Sequence, residues 1–409
     1  MWQRFKEEIT TERQLEEVIS ALSLTLVIID SQIFTNFLQE VMMGERLFII
    51  GNEAIGWGAL AAGCEAYIGY PITPQNETTE WFAREFPKRD KVFVQSQSEV
   101  GSINILFGAV ATGHRAMTST SGPGWGLMQE GMSHLANGEL PCVVSLVQRG
   151  GPGAGTTRHG QMDYLSATWG GGNGGYKNIV LTPASVQETY DFVQLAFYLA
   201  DKYRNPVILL TDGLLGQMAE PLELRTLDFG PVPEKDWAVR GRANQPDGVR
   251  RAVGAMQGLL PTPPHPPYTG FLDLLKVLDE KYERMKEAEV RYETYLVEDA
   301  DLIIVAYGYT ARVSKEPIKI ARKEGLKVGM IRPLAVWPFP YQIIRDMASK
   351  GCRFLVVEDS LGQLIEDVRI GVQGDTDVHL LGALARHDPS DGGMILPDSV
   401  LTEIYRLMK

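Results

Sequence analysis

Residues 67–77 read YIGYPITPQNE. The apolar run Tyr67–Gly69 stops on Tyr70-Pro71, and Thr73 follows between Ile72 and Pro74, just ahead of a helix predicted over Glu77–Phe86. Proline fixes φ and lacks the N–H that would continue sheet pairing, so the strand has to end here. Thr73 is thereby placed in a rigid turn that faces a helix N-terminus, where a carboxylate is favoured. A strand, a polar turn and a helix make the repeating unit of an α/β fold. The fold assignment turns on whether that unit recurs.

It recurs three more times in the next eighty residues. Residues 52–62 read as a helix closed by Gly63, a natural helix terminator, and 66–69 as a strand. KVFVQ (91–95) is the next strand and SEVGSINILFGAVATG (98–113) its helix. RAMTSTS (115–121) is a third strand, followed by a loop GPGWG and a helix to about Asn137; PCVVSLVQ (141–148) is a fourth. Further on, Ser185 and Glu188 form a capping-box pattern. It opens a helix to Tyr203, which Asn205-Pro206 stops before the buried strand VILLT. Such alternation predicts a parallel sheet covered by helices.

The pattern starts at Met43, in MGERLFIIGNEAIGWG, so residues 1–42 are set apart as an N-terminal extension with no chemistry assigned. Its apolar run ALSLTLVII (21–29) is about half the ~20 residues that span a bilayer, and acidic residues before it argue against a secretory signal. The first α/β domain is expected over 43–227. Residues 228–297 change character: prolines cluster in LLPTPPHPPYTG, then comes the charged stretch LDLLKVLDEKYERMKEAEVRYE, read as a linker plus a surface helix. A second α/β unit, 298–409, runs through LIIVAYGYTARV, KVGMIRPLAVWPFP and FLVVEDSLGQL.

The chain's 409 residues suffice for this plan, at about 100–200 residues per domain. A net charge of −12 argues against nonspecific binding to nucleic acid or an anionic membrane. Cys64, Cys142 and Cys352 are widely spaced and form no CxxC pair, so neither a disulfide framework nor a metal or iron–sulfur site is indicated. Buried, reduced thiols in a cytoplasmic protein are expected.

In an open parallel sheet, ligands bind beyond the carboxyl ends of the strands. The notable polar residues of 66–160 fall there: Thr73 after the first strand, Glu99 after the second, Ser119, Thr120 and Ser121 at the third, Arg149 at the fourth. Arg149 could hold a carboxylate with two hydrogen bonds. Each feature alone has a plain explanation. A proline turn is commonly only a turn, an arginine at a strand end is commonly on the surface, and a glutamate in a first helical turn commonly complements the dipole. RGGPGAG fits no GxxxxGK[ST] pattern. The joint placement is what points to a site.

GNEAIGWGALAAGCEAYIGYPITPQNE, the SE of SQSEVGSINILFGAVATGHRAMTSTSGPGWG, RGGPG and ADKYRNPVILLTDGLLGQM resemble the alpha subunit of 2-oxoacid:ferredoxin oxidoreductases, closest to the branched-chain 2-oxoisovalerate type. The resemblance is strong over Gly44–Glu220 and looser through RPLAVWPFP and VVEDSLGQL. It implies a pyrimidine-binding domain for thiamine diphosphate, followed by a transketolase-C-terminal-like domain. By that likeness Glu99 hydrogen-bonds N1′ of the aminopyrimidine, which favours the tautomer that activates the cofactor. Thr73 and Arg149 contact the substrate carboxylate, and Tyr70, Pro71, Ser119 and Ser121 lie along the cofactor. The reaction implied is oxidative decarboxylation of a 2-oxoacid to acyl-coenzyme A, with electrons passed to ferredoxin.

No GDG…N(x)N diphosphate motif and no cluster cysteines are found in the sequence; TDGLLGQ and QGDTD lack the later asparagine. In the family, Mg2+ and iron–sulfur clusters belong to partner subunits, so beta, gamma and ferredoxin-like subunits are expected. Arg158 and His159, in TTRHGQMDY, fall where a substrate-side loop is expected, and Arg158 could pair with a distal carboxylate. The same chemistry on 2-oxoglutarate or on an aromatic 2-oxoacid therefore stays open, with Trp57, Trp125 and Trp169 as pocket or core residues. A noncatalytic scaffold, or a transketolase-like enzyme without iron–sulfur partners, are the readings from other classes. GGGNGG (170–175) is expected to fold over the site, and His114 and His134 to be structural.

Overall fold

The computed structural model describes residues 46–239, 271–386 and 393–409. The 1–42 extension and the proline cluster of the connection lie outside the described residues. The described residues of 48–222 and 226–409 form one compact unit.

The first half supplies β1 (Arg46–Ile50), β2 (Ala66–Gly69), β3 (Val92–Gln95), β4 (Ala116–Thr120), β5 (Val143–Gln148), β6 (Ile179–Leu181), β7 (Val207–Asp212) and β8 (Ala219–Glu223). The second supplies β9 (Tyr292–Tyr295), β10 (Leu302–Val305), β11 (Val328–Pro333), β12 (Ala335–Trp337), β13 (Arg353–Val357) and β14 (Val378–Leu381). Seven strands form the larger sheet in the order β12-β6-β7-β5-β4-β2-β3, and five the smaller, β14-β13-β10-β11-β9; β1 and β8 pair separately. β2, β4, β5 and β7 are buried at every residue. That is why β2, β5 and β7 read as largely apolar runs: a parallel strand covered by helices on both faces has no polar side; β4, AMTST, buries three hydroxyls instead. β5, β4, β2 and β3 are adjacent and parallel, so their carboxyl ends share one rim.

Three elements differ from the sequence expectation. GPGWG is no loop: it is the first turn of the helix Gly122–Asn137, with Ser121 as the extended N-cap. Pro123 costs that turn nothing, because a first-turn N–H has no partner anyway. The stretch read as a surface helix is half a core helix. Phe271–Ala288 buries Leu274, Leu278, Lys281, Tyr282 and Met285, and its tail forms β9 rather than more helix. Finally, β12 leaves the second half and pairs antiparallel with β6, Ala335 opposite Leu181, so it closes the edge of the larger sheet. No helix among the described residues is long and apolar enough to cross a membrane.

Candidate active site

The YPITP turn is fixed from two sides. Asn52, buried in the helix Gly51–Ala61, donates from Nδ2 to Pro74 O (2.7 Å) and to Glu77 Oε2 (2.8 Å). From the other side, Arg149 Nη1 donates to Thr73 O at 2.8 Å. The contact between the two expected site residues thus runs through the threonine's carbonyl. Its hydroxyl, on an exposed residue, accepts from Asn76 Nδ2 at 3.2 Å.

Glu99 opens the helix Glu99–Ala111, which Ser98 caps by accepting from Gly101 N at 3.1 Å. Glu99 is buried at 6% exposure in the first turn of that helix. Gly124 faces it. A Cβ there would lie 2.6 Å from Glu99 Oε1 and 2.4 Å from Thr120 Oγ1, so only glycine fits against the carboxylate. In the same helical turn, a Cβ on Gly122 would lie 3.6 Å from Arg149 Nε. One helical turn therefore touches both Glu99 and Arg149, which places them on the same rim.

Arg149 directly follows β5 and is buried. Its Nη2 donates to Ala154 O at 2.8 Å, holding down the glycine loop after it. That loop folds back on itself: Thr156 N donates to Gly150 O at 2.9 Å, and Gly155 takes a φ of +56° where a side chain would strike Gly150. Burial lowers the pKa of the guanidinium, while the charges of Asp163 and Glu99 oppose the shift. Beside it lies a cavity of about 500 Å³ whose walls include Arg149, Asp163, Met162 and, from the second half, Leu361, Gly362 and Gln363. Burial pushes the Asp163 carboxyl up to about 6 against the pull of the Arg149 backbone N–H and guanidinium.

The other expected residues are distributed as follows. Ser121 lies at the rim, fully buried, and its Oγ has no partner; the Thr120 hydroxyl is likewise unpaired. Tyr70 is half-buried and Pro71 exposed on the turn. Ser119 is not brought to the rim. It faces inward, hydrogen-bonded to Tyr67 OH (2.6 Å) and Gln75 Oε1, because successive strand residues point to opposite faces. Arg158 is exposed on the loop and is not among the residues lining the cavity; His159 contacts Asp359 Oδ2 at 3.2 Å. The expected cover does not form: Gly172 and Asn173 pack on Gln129 and Ser133, well along their helix. Trp57 and Trp125 belong to the core and Trp169 is exposed. His114 and His134 are exposed beside Glu65 and Glu130. Reading the sequence missed Asn52, Asp163 and Gln363. All three stand inside quoted stretches, but neither composition nor periodicity marks them.

These residues fit one end of thiamine diphosphate. A buried carboxylate packed on a backbone without Cβ, with two unpaired hydroxyls beside it, is the hydrogen-bonding chemistry that the pyrimidine would take. Among the described residues, no group of three His, Cys, Asp or Glu side chains is placed to hold a metal ion.

Known proteins resemble this chain along most of its length. The profile described as pyruvate flavodoxin/ferredoxin oxidoreductase, thiamine-diphosphate-binding, matches residues 57–298, and pyruvate:ferredoxin oxidoreductase core domain II matches 300–392. The ketoisovalerate oxidoreductase subunit VorB of Methanothermobacter thermautotrophicus is 46% identical, over 82% of this chain and 92% of its own length. The 2-oxoglutarate synthase subunit KorA of the same organism is 36% identical, over 89% of this chain and all of its own. Among solved structures, 2-oxoglutarate:ferredoxin oxidoreductase from Magnetococcus marinus superposes with a TM-score of 0.75 at 28% identity, covering 90% of this chain and 66% of that longer one. A split-gene transketolase shares the fold, with a TM-score of 0.50 at 15% identity. With its parallel sheets, its buried glutamate and arginine on one rim, and these relatives, the chain belongs to the family of thiamine-diphosphate-binding 2-oxoacid:ferredoxin oxidoreductases.

Proposed function

We propose that this protein is the subunit that receives the 2-oxoacid and the pyrimidine end of thiamine diphosphate. Its substrate is 2-oxoisovalerate or another branched-chain 2-oxoacid, converted to acyl-coenzyme A and CO2. The reading rests on one observation above all: Glu99 and Arg149 both pack against a single helical turn whose glycines let the two side chains come to the same rim. The apolar walls beside Arg149, Met162 and Leu361 among them, suit a branched aliphatic side chain. The higher identity to the ketoisovalerate subunit points the same way.

When bound, the cofactor supplies the nucleophile for the 2-oxo carbon and holds the electron pair left by CO2. Glu99 holds a proton at ring nitrogen N1′. Arg149 and Thr73 bind the substrate carboxylate and orient the C1–C2 bond. Tyr70, Pro71 and Ser121 line the pyrimidine, and Ser119 acts from behind by holding Tyr67 and Gln75. Mg2+ and iron–sulfur clusters sit on beta, gamma and ferredoxin-like partners in a cytoplasmic complex, with ferredoxin as acceptor.

The test is viologen reduction by the purified complex with coenzyme A and, separately, 2-oxoisovalerate, 2-oxoglutarate, pyruvate and phenylglyoxylate. Turnover should be fastest on 2-oxoisovalerate, and Glu99→Gln should lower it roughly 100-fold or more. A thiamine-loaded complex that oxidises none of the four refutes the reading. Arg158 is proposed as the partner of a distal carboxylate for any activity on 2-oxoglutarate. Arg158→Ala should then depress that activity far more than activity on 2-oxoisovalerate; equal losses remove the role.

A further inference from the structure

The turn Glu358–Gln363 belongs to the second half of the chain, yet it forms a wall of the cavity beside Arg149. Its construction is unusual for a surface turn. Glu358 is fully buried, and its carboxylate accepts from the backbone N–H groups of Gln363 (2.9 and 3.0 Å), Leu364 (3.0 Å) and Ile365 (3.1 Å), with Ser360 Oγ adding a bond at 2.6 Å. A carboxylate taking several N–H bonds at the start of a helix makes a stiff mount. On that mount the Gln363 side chain reaches across to the first half. Its Nε2 donates to Met162 O at 2.7 Å and its Oε1 accepts from Leu165 N at 2.9 Å. The two bonds bracket Asp163, which stands in the cavity next to Arg149 and has one carboxyl oxygen buried without a partner.

We propose that Gln363 is a positioning residue for the substrate cavity: its amide clamps Met162–Leu165 and so sets where the Asp163 carboxyl and the Met162 side chain stand relative to Arg149. The inference rests on the proposed placement of the substrate carboxylate at Arg149. A primary amide suits the task because it offers one donor and one acceptor side by side, matching a backbone carbonyl and a backbone N–H. Removing it frees a segment that carries both a charge and an apolar wall. The expected loss is therefore in substrate binding and not in assembly.

The experiment uses the assembled complex, with two readouts. Hydrogen–deuterium exchange tests the clamp without turnover: Gln363→Ala should raise exchange in the peptide holding Leu165, with peptides elsewhere in the protein unchanged. Steady-state kinetics then test its consequence. KM for the 2-oxoacid should rise about ten-fold or more, while KM for coenzyme A stays within about two-fold. Gln363→Glu supplies a second variant. It keeps the acceptor for Leu165 N but regains the donor for Met162 O only when protonated. Its KM for the 2-oxoacid, divided by that of the wild type at the same pH to cancel titration of Asp163, Glu358 and Arg149, should fall between pH 8 and pH 6. Unchanged exchange at Leu165, equal rises in both KM values, or a flat ratio across pH each overturn the proposal. If the wild-type complex oxidises no 2-oxoacid, the functional reading fails, and the exchange measurement still decides the clamp.

Discussion

Asp163 shows how much of a site one buried carboxyl can control. Its pKa rises from an ordinary 3.8 to about 6, chiefly through burial. The folded state therefore binds this proton more tightly than the unfolded chain does. The stability it contributes is complete below about pH 4 and is lost as the pH rises through 6. At 1.36 kcal/mol per unit, the penalty left at neutral pH is about 3 kcal/mol. Asp163→Asn should accordingly raise the unfolding midpoint at pH 8, and the gain should shrink at pH 5. A gain of equal size at both, measured by scanning calorimetry, would contradict this. Gly124 is the second sensitive residue. Gly124→Ala would put a methyl 2.4 Å from Thr120 Oγ1 and 2.6 Å from Glu99 Oε1. Thiamine diphosphate affinity of the complex should fall about ten-fold or more, read by calorimetric titration, and the overpacked methyl should lower the melting temperature as well. An affinity within two-fold of wild type would mean that the cofactor site lies elsewhere.

The elements that carry the rim were legible because their signals are local. A buried parallel strand is commonly a largely apolar run, and YPITP must end one. The elements that read wrongly did so for equally local reasons. GPGWG looks like a loop because two glycines mask a first helical turn that tolerates both glycine and proline. LDLLKVLDEKYERMKEAEVRYE looks exposed because its charges outnumber the single face that it buries. Asp163 and Gln363 stayed hidden because their roles depend on a contact between residues nearly 200 positions apart, which no window on the sequence contains. The Glu99–Ala111 and Gly122–Asn137 helices pack on each other and leave Val100 (46%), Ile105 (43%) and Leu127 (54%) exposed. Exposed apolar residues on the two helices beside the proposed cofactor site suit a subunit interface. Ile105→Asp and Leu127→Asp should each weaken association with the proposed diphosphate-binding partner, seen by light scattering, while the isolated protein melts as before. Undiminished assembly would place that partner on another face.

At the scale of the molecule the two halves are joined by more than the connection between them. Gln161 donates from Nε2 to Tyr307 O at 3.0 Å and accepts from Asp359 N at 2.9 Å, and Tyr164 OH donates to Asp367 at 2.7 Å. Buried bonds of this kind are costly to break singly. The residues from Phe48 onward should therefore unfold in one calorimetric transition, and two well-separated peaks would show that the halves are independent. β12 has a further consequence, felt during synthesis. The larger sheet cannot complete its edge until the ribosome has passed Trp337, far beyond the strand β6 that waits for it. During that interval β6 presents bare backbone donors and acceptors to whatever strand arrives first. Nascent polypeptides stalled before Ala335 are thus the ones that should call most heavily on chaperones.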